Sequence, residues 1–286
     1  MKKIFVIGGA AVDITGRPES ICRLRDSNIG TVRITPGGVG KNISRRLAGY
    51  EMDVQLITAI GMGYHAQLIA DECRTAGVKM DYTFTCSEHT GTFLSVLDED
   101  GDFLVGISDM SILEKLTPDY LSPLLDRINE ADMAVLDANL QPETLTFLTE
   151  RLTVPIFFDP VSCAKAPRIG DNIGRCYAVK PNRFEAAFLS GKSCDTVRGV
   201  YRAADWFLEQ GVQRVFVSLG PEGVFWADKD ASGVLPSACE KVVDTTGAGD
   251  AMCAGIIDGC LDGLATEQCA ARGNEASARV CQRKGY

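Results

Sequence analysis

Asp250 closes the run Asp244-Thr245-Thr246-Gly247-Ala248-Gly249-Asp250, and the residues after it, Ala251-Met252-Cys253-Ala254-Gly255-Ile256-Ile257, are small and apolar. Gly247, Ala248 and Gly249 are too small to cover the main chain, so their amides can approach a ligand closely. The apolar run reads as a buried helix. Bare amides at the start of a helix make an anion site, because the positive end of the helix dipole adds to the N–H donors. A carboxylate there repels the anion that the amides attract. It has a use if Asp250 takes the proton from a hydroxyl that attacks a phosphate held by those amides. The competing reading is a glycine-rich turn with an aspartate cap.

A second glycine-rich turn, Pro36-Gly37-Gly38-Val39-Gly40-Lys41-Asn42, opens a helix pattern through Ile43, Leu47 and Ala48. Asp13 follows the apolar run Lys3–Gly9, which reads as a buried first strand. In open α/β sheets that strand edge is where ligands bind. Two other stretches mimic phosphate sites. Gly61-Met62-Gly63-Tyr64-His65-Ala66 matches a loose dinucleotide fingerprint but lies outside the first βα unit. Ala186 through Gly191-Lys192-Ser193 lacks the first glycine of a P-loop and reads as a helix end.

The elements that must position these groups alternate. Strand 53–60 precedes helix 64–76. Helix 118–129, strand 132–136, helix 142–151, strand 155–159 and a short strand at 177–179 follow. Helices at 182–190 and 196–210, strands 214–219 and 223–227, and helices 248–262 and 266–282 complete the chain. Repeated βα units imply a mostly parallel sheet with helices on both faces. Residues 82–107 break the pattern with a hairpin, 90–97 and 103–107, around Asp98-Glu99-Asp100-Gly101-Asp102. With 14–36 they form a separate small sheet, a lid on one domain spanning 1–286.

The 286 residues are 45% hydrophobic, enough for a sizeable core. A net charge of −9 without a basic run argues against nucleic acid or an anionic membrane as partner. Eleven cysteines, an odd number with no C-x-x-C, read as small core hydrophobes in a reducing cytoplasm. Only two histidines are present, so a structural zinc site is not expected. The start Met1-Lys2-Lys3 with its apolar run soon reaches Asp13 and reads as a strand, not a leader. No run is long enough to cross a bilayer.

The order of these motifs resembles the ribokinase-like (PfkB) family of carbohydrate and nucleoside kinases. Val6-Ile7-Gly8, Asp13, the Gly37–Asn42 turn, Lys180-Pro181-Asn182-Arg183-Phe184-Glu185 and the Asp244–Asp250 run carry the resemblance. Within the family, Asp26-Ser27-Asn28-Ile29-Gly30, Ser108-Asp109-Met110 and Val154 through Ser162 look like the bacterial pseudouridine kinases. The resemblance implies a three-layer α/β/α fold with a β-sheet lid, and transfer of phosphate from MgATP to the 5′-hydroxyl of pseudouridine. It implies Asp250 as base and Gly247, Ala248 and Gly249 as anion hole. Asp13, Gly38 and Asn42 would hold ribose hydroxyls, with Asn139 near the sugar. Asn28, Lys41, Thr90 and Thr92 are candidate lid or sugar-side contacts.

On the nucleotide side it implies Lys180, Asn182, Glu185, Ser218, Gly220, Gly223, Thr246 and Asn274. Glu185 would act on Mg²⁺ through phosphates and water, and Asp244 with the Thr246 carbonyl would hold a monovalent cation such as K⁺. Relatives pair through the lid, which implies a homodimer. Two departures stand out: Gly63 replaces a common aspartate, and Ile29 replaces a proline of the lid. A kinase acting on adenosine, inosine, uridine or ribose would share every catalytic residue. A non-catalytic nucleoside sensor on the same fold is the alternative of another class.

Overall fold

The computed structural model describes residues 1–282. The chain begins with β1 (Lys3–Ile7), β2 (Ala11–Pro18), β3 (Gly30–Gly37), α1 (Val39–Ala48), β4 (Asp53–Ile57), β5 (Ala59–Ile60), α2 (Tyr64–Ala76) and β6 (Phe84–Thr85). It continues with β7 (Thr92–Leu97), β8 (Phe103–Asp109), α3 (Pro118–Leu121), α4 (Leu125–Asn129), β9 (Met133–Asp137), α5 (Pro142–Arg151) and β10 (Ile156–Asp159). The rest is β11 (Ala178–Val179), α6 (Arg183–Ser190), α7 (Val197–Gln210), β12 (Arg214–Ser218), β13 (Val224–Ala227), β14 (Ser232–Leu235), α8 (Ala248–Leu261) and α9 (Thr266–Cys281).

Eight strands form the main sheet in the order β14-β13-β12-β11-β10-β9-β1-β4. From β4 to β12 neighbours are parallel; β13 and β14 are added antiparallel. Parallel strands need both faces covered, and β9 is buried at every position. Alternation in β1 divides the core: Phe5 and Ile7 face the layer with α5 and α7, while Ile4 and Val6 face α1, α2, α8 and α9. This is the ribokinase-like α/β arrangement that the motif order implied, with a separate four-stranded sheet in the order β3-β2-β7-β8.

Local details depart from the sequence reading. Residues 118–129 are two short helices separated by a 3₁₀ turn at Ser122–Leu124, where Pro123 removes an N–H donor and blocks a continuous helix. Residues 53–60 are two strands, the second turning away to pair with β6. The second sheet starts at Ala11, so Asp13 lies inside β2 and not beyond a strand end. Residues 82–91 stay outside that sheet. Strand β14 and the 3₁₀ segment Ala166–Arg175 lacked a readable period. All eleven cysteines are free. Among the described residues, no helix is long and apolar enough to cross a membrane.

Helices α8 and α9 meet through missing side chains. A Cβ on Gly255 would lie 2.7 Å from Arg272 O and 2.9 Å from Gly273 Cα. One on Gly273 would lie 2.6 Å from Ile256 Cγ1. This contact fixes the direction of α8, and with it the aim of its first turn.

Candidate active site

Asp137 and Asp159 end β9 and β10, Gly8 follows β1, Lys180 follows β11, and Ser218 ends β12. Parallel strands place all of these at one edge, the carboxyl edge where such sheets bind ligands. Helix α8 brings Asp250 to the same edge in its first turn. Helix α1 brings Asn42, whose Nδ2 donates to Asp250 Oδ2 at 2.8 Å. The two glycine-rich turns of the sequence therefore meet, although 208 residues separate these two side chains.

Burial and then Asp159 raise the Asp250 carboxyl to about 7, against the lowering effects of Asn42 and Lys180. Below it, Lys180 is 4% exposed and pairs with Asp159 at 3.6 Å. Burial disfavours the Lys180 charge, but the acidic groups around it (Cys253, Asp159, Glu185 and Asp250) hold it well above the usual lysine range. Its Nζ lies 3.8 Å from where a Gly249 Cβ would stand, so a fixed positive charge backs the glycine turn.

Gly247 is left-handed at φ 73° and no side chain caps α8. The anion hole is narrower than the sequence implied, because the Ala248 amide already donates to Thr245 O at 3.1 Å. Gly247 and Gly249 offer the remaining donors of the turn, and among the described residues the Gly249 amide makes no hydrogen bond.

On the acceptor side, the Asp13 carboxyl lies over Gly37, where any Cβ would collide with it. Burial raises Asp13 to about 6 and Lys41 opposes the rise. Gly38 has φ 95° and a Cβ there would come within 2.6 Å of Ala10 Cα and Gly9 O. Only glycine fits that bend, which brings the start of α1 against the end of β1. Asn139 is 3% exposed, with Oδ1 accepting from Lys165 Nζ at 2.7 Å.

Several expected contacts have other work. Asn28 closes its own loop, donating to Arg23 O and Asp26 O while accepting from Arg23 N. Lys41 is buried in an ion pair with Glu72 and donates to Pro36 O at 2.8 Å, so its charge is spent beneath the turn. Thr92 pairs in register with Val12, one position from Asp13, and strand alternation turns it to the other face. Thr90 accepts from the Gly61 amide. Asn182 caps α6 in a capping box with Glu185, which is 4% exposed and raised by burial and by Asp159. Asn274 is spent pinning the 236–238 segment, with Nδ2 on Pro236 O at 2.7 Å.

Ser218 abuts Asn182 through its amide on Pro181 O. Gly220 and Gly223 form the tight turn after β12, at φ 63° and 101°. Thr246 is exposed, and its amide donates to Asp244 Oδ1 at 2.8 Å. The carbohydrate-kinase model described as pfkB matches residues 1–286.

The chain belongs to the pfkB family of carbohydrate kinases. It is 35% identical to the pseudouridine kinase of Escherichia coli K12 over 91% of this chain and 84% of that protein. It is 25% identical to the guanosine-inosine kinase of Exiguobacterium acetylicum over 98% and 94%. Among solved structures, the ribokinase of Thermotoga maritima superposes with a TM-score of 0.88 at 25% identity, covering 100% of this chain and 94% of that one. The chain is thus a sugar or nucleoside kinase, a phosphotransferase with an alcohol as acceptor.

The motifs did not assign Asp137, Asp159, Lys165 or Cys253 a part in this kinase. Asp137 accepts from the Gly9 amide at 2.8 Å and the Asn139 amide at 2.9 Å, and burial first of all raises it to about 6. Cys253 donates to Asp159 Oδ2 at 3.1 Å. The one sequence signal was an aspartate ending each of two wholly apolar strands.

Proposed function

We propose that this kinase uses ATP to phosphorylate the 5′-hydroxyl of pseudouridine. The Asn42–Asp250 hydrogen bond carries the reading, because it joins the acceptor turn to the base at the mouth of α8. Asp13, Gly38 and Asn42 hold the sugar. Asp250 takes the hydroxyl proton as the oxygen attacks the γ-phosphate and ADP leaves. A carboxyl raised to about 7 suits that transfer near neutral pH. The Gly247 and Gly249 amides, the helix dipole and Lys180 stabilise the charge on the transferring group. The nucleotide lies along Asn182, Ser218, Gly220 and Gly223.

Mg²⁺ neutralises phosphate charge when bound. The buried Glu185 and Asp159 carboxylates would hold it through water and phosphate. Asp244 shapes the turn that would hold a monovalent cation at the Thr246 carbonyl. The second sheet acts as a lid inserted in a single kinase domain, and its outward apolar face pairs with a second copy. Eleven free thiols suit the cytoplasm.

The preference for pseudouridine follows the 35% identical relative of that activity. An ADP-release screen over pseudouridine, uridine, inosine, guanosine, adenosine and ribose tests it. Pseudouridine should give the highest kcat/KM. Equal rates on uridine would defeat the substrate assignment, and no ADP with any acceptor would favour a sensor. Asp250→Ala should lose about 10²–10⁴ in kcat while still binding nucleotide.

A further inference from the structure

Strand register aligns Thr35, Asp13, Phe93 and Ser108 side by side across β3, β2, β7 and β8. Laterally paired residues share a face of the sheet. Asp13 and Ser108 are two strand spacings apart, roughly 10 Å. The near end of the row is the carboxyl over Gly37, the sugar end of the site. At the far end, Ser108 Oγ accepts from Lys165 Nζ at 3.0 Å, and the same ammonium donates to Asn139 Oδ1 at 2.7 Å. Lys165 thereby spans from the carboxyl edge of the main sheet to the second sheet.

Between these ends lies an aromatic platform. The Phe93 and Phe103 rings are stacked with centroids 6.4 Å apart and planes 7° from parallel. A Cβ on Gly106 would come within 2.8 Å of Phe103 Cζ and 2.9 Å of Phe93 Cζ. The bare glycine lets both rings lie down on the sheet. Phe103 is 62% exposed, so the platform is open on one side.

We infer that this row reads the heterocycle of the acceptor: Phe93 packs against a planar ring, and Lys165 donates to an exocyclic carbonyl oxygen of that ring. The inference rests on the kinase reading above and narrows its acceptor to nucleosides with a carbonyl-bearing base. Both Lys165 hydrogen-bond partners are neutral oxygens. An ammonium has three protons, and these two bonds use two of them. Burial lowers the Lys165 pKa and Asp137 opposes that, so an oxygen acceptor at the third proton restores what burial takes away. A ligand that satisfies every station carries hydroxyls at one end, a flat ring in the middle and a carbonyl oxygen beyond it. A bare pentose reaches Asp13 alone.

The test uses the full chain, with Lys165→Met and Phe93→Ala checked for folding by thermal melting. Calorimetric Kd and steady-state KM are measured for pseudouridine and for purine riboside, which has no exocyclic oxygen. Lys165→Met should raise both constants for pseudouridine about 10- to 100-fold, the worth of a hydrogen bond to a charged group. Its effect on purine riboside should be at least about tenfold smaller. Phe93→Ala should weaken both nucleosides. An unchanged pseudouridine Kd in Lys165→Met overturns the inference. So does an equal loss for the two nucleosides, the mark of a merely structural strap between the sheets. If the wild type releases no ADP with any nucleoside, the kinase reading fails, while the calorimetric comparison still decides the row.

Discussion

A carboxylate that the proposed reaction needs ionised, held in a place that disfavours ionisation, gives this molecule its sharpest signature. With Asp250 raised to about 7, kcat/KM should climb about tenfold per pH unit below 7 and level off above it. A flat profile between pH 5.5 and 8 would remove Asp250 from the proton transfer. The same burial costs stability. Unfolded, this carboxyl loses its proton near 3.8; folded, it keeps it to about 7. The folded state binds more protons across that window, so this contribution is complete below 3.8 and lost as pH rises through 7. Asp250→Asn should therefore stabilise the protein at pH 8, by on the order of 1–3 kcal/mol, while losing turnover as Asp250→Ala does. Urea melts at pH 5 and pH 8 check it: the gain should shrink at the lower pH. Asp250 was legible because glycines, a carboxylate and an apolar run stand together in the chain. Its partner Asn42 was legible as a type, but not their contact. Asp137, Asp159 and Lys165 were not, because a polar residue after an apolar strand looks the same whether it caps a turn or faces a ligand.

Among the elements, α8 carries the most. Its amino end faces the site and its flank is locked to α9 by Gly255 and Gly273. Gly273→Leu pushes a side chain into Ile256 and the Met252 carbonyl. Overpacking of this kind costs about 1–3 kcal/mol, and here the helices must also separate. The expected result is a lowered melting temperature together with a lower kcat, since α8 also aims Asp250. Full activity in a folded variant would uncouple the helix contact from the chemistry. Long periodic segments such as α2 and α5 matched their expected bounds because amphipathic period and flanking glycine or proline agree. The 118–129 segment failed because one proline outweighs a good apolar pattern. Thr92 lies one residue from the row of Asp13: alternation sets which face a side chain takes, and only register reveals it.

At the scale of the molecule, one side of the second sheet remains apolar and open. Val32 is 69% exposed, Val105 55% and Ile107 63%, and Leu94 pairs with Ile107 on that side. A continuous apolar β-face of this kind invites a partner, and the proposed partner is a second copy of this chain. Light scattering should give the mass of a dimer, and Ile107→Lys with Val105→Lys should shift it to that of a monomer. A wild-type monomer at micromolar concentration would end this reading. The separate sheet was visible in sequence as a break in the βα rhythm, but its edges were not, because Ala11–Asp13 continues the apolar run of β1 without a marker. Asp13 sits on that sheet, whereas Asn42 and Asp250 belong to the main body, and Gly8–Ala10 and Gly37–Gly38 are two of the short links between them. If that sheet moves as the proposed lid, a swing about those links would pull one hand off the guest while the other keeps its hold. Grasping a new guest and letting the finished one go would then depend on one movement, and the speed of that swing would set a ceiling on how often the cycle can turn.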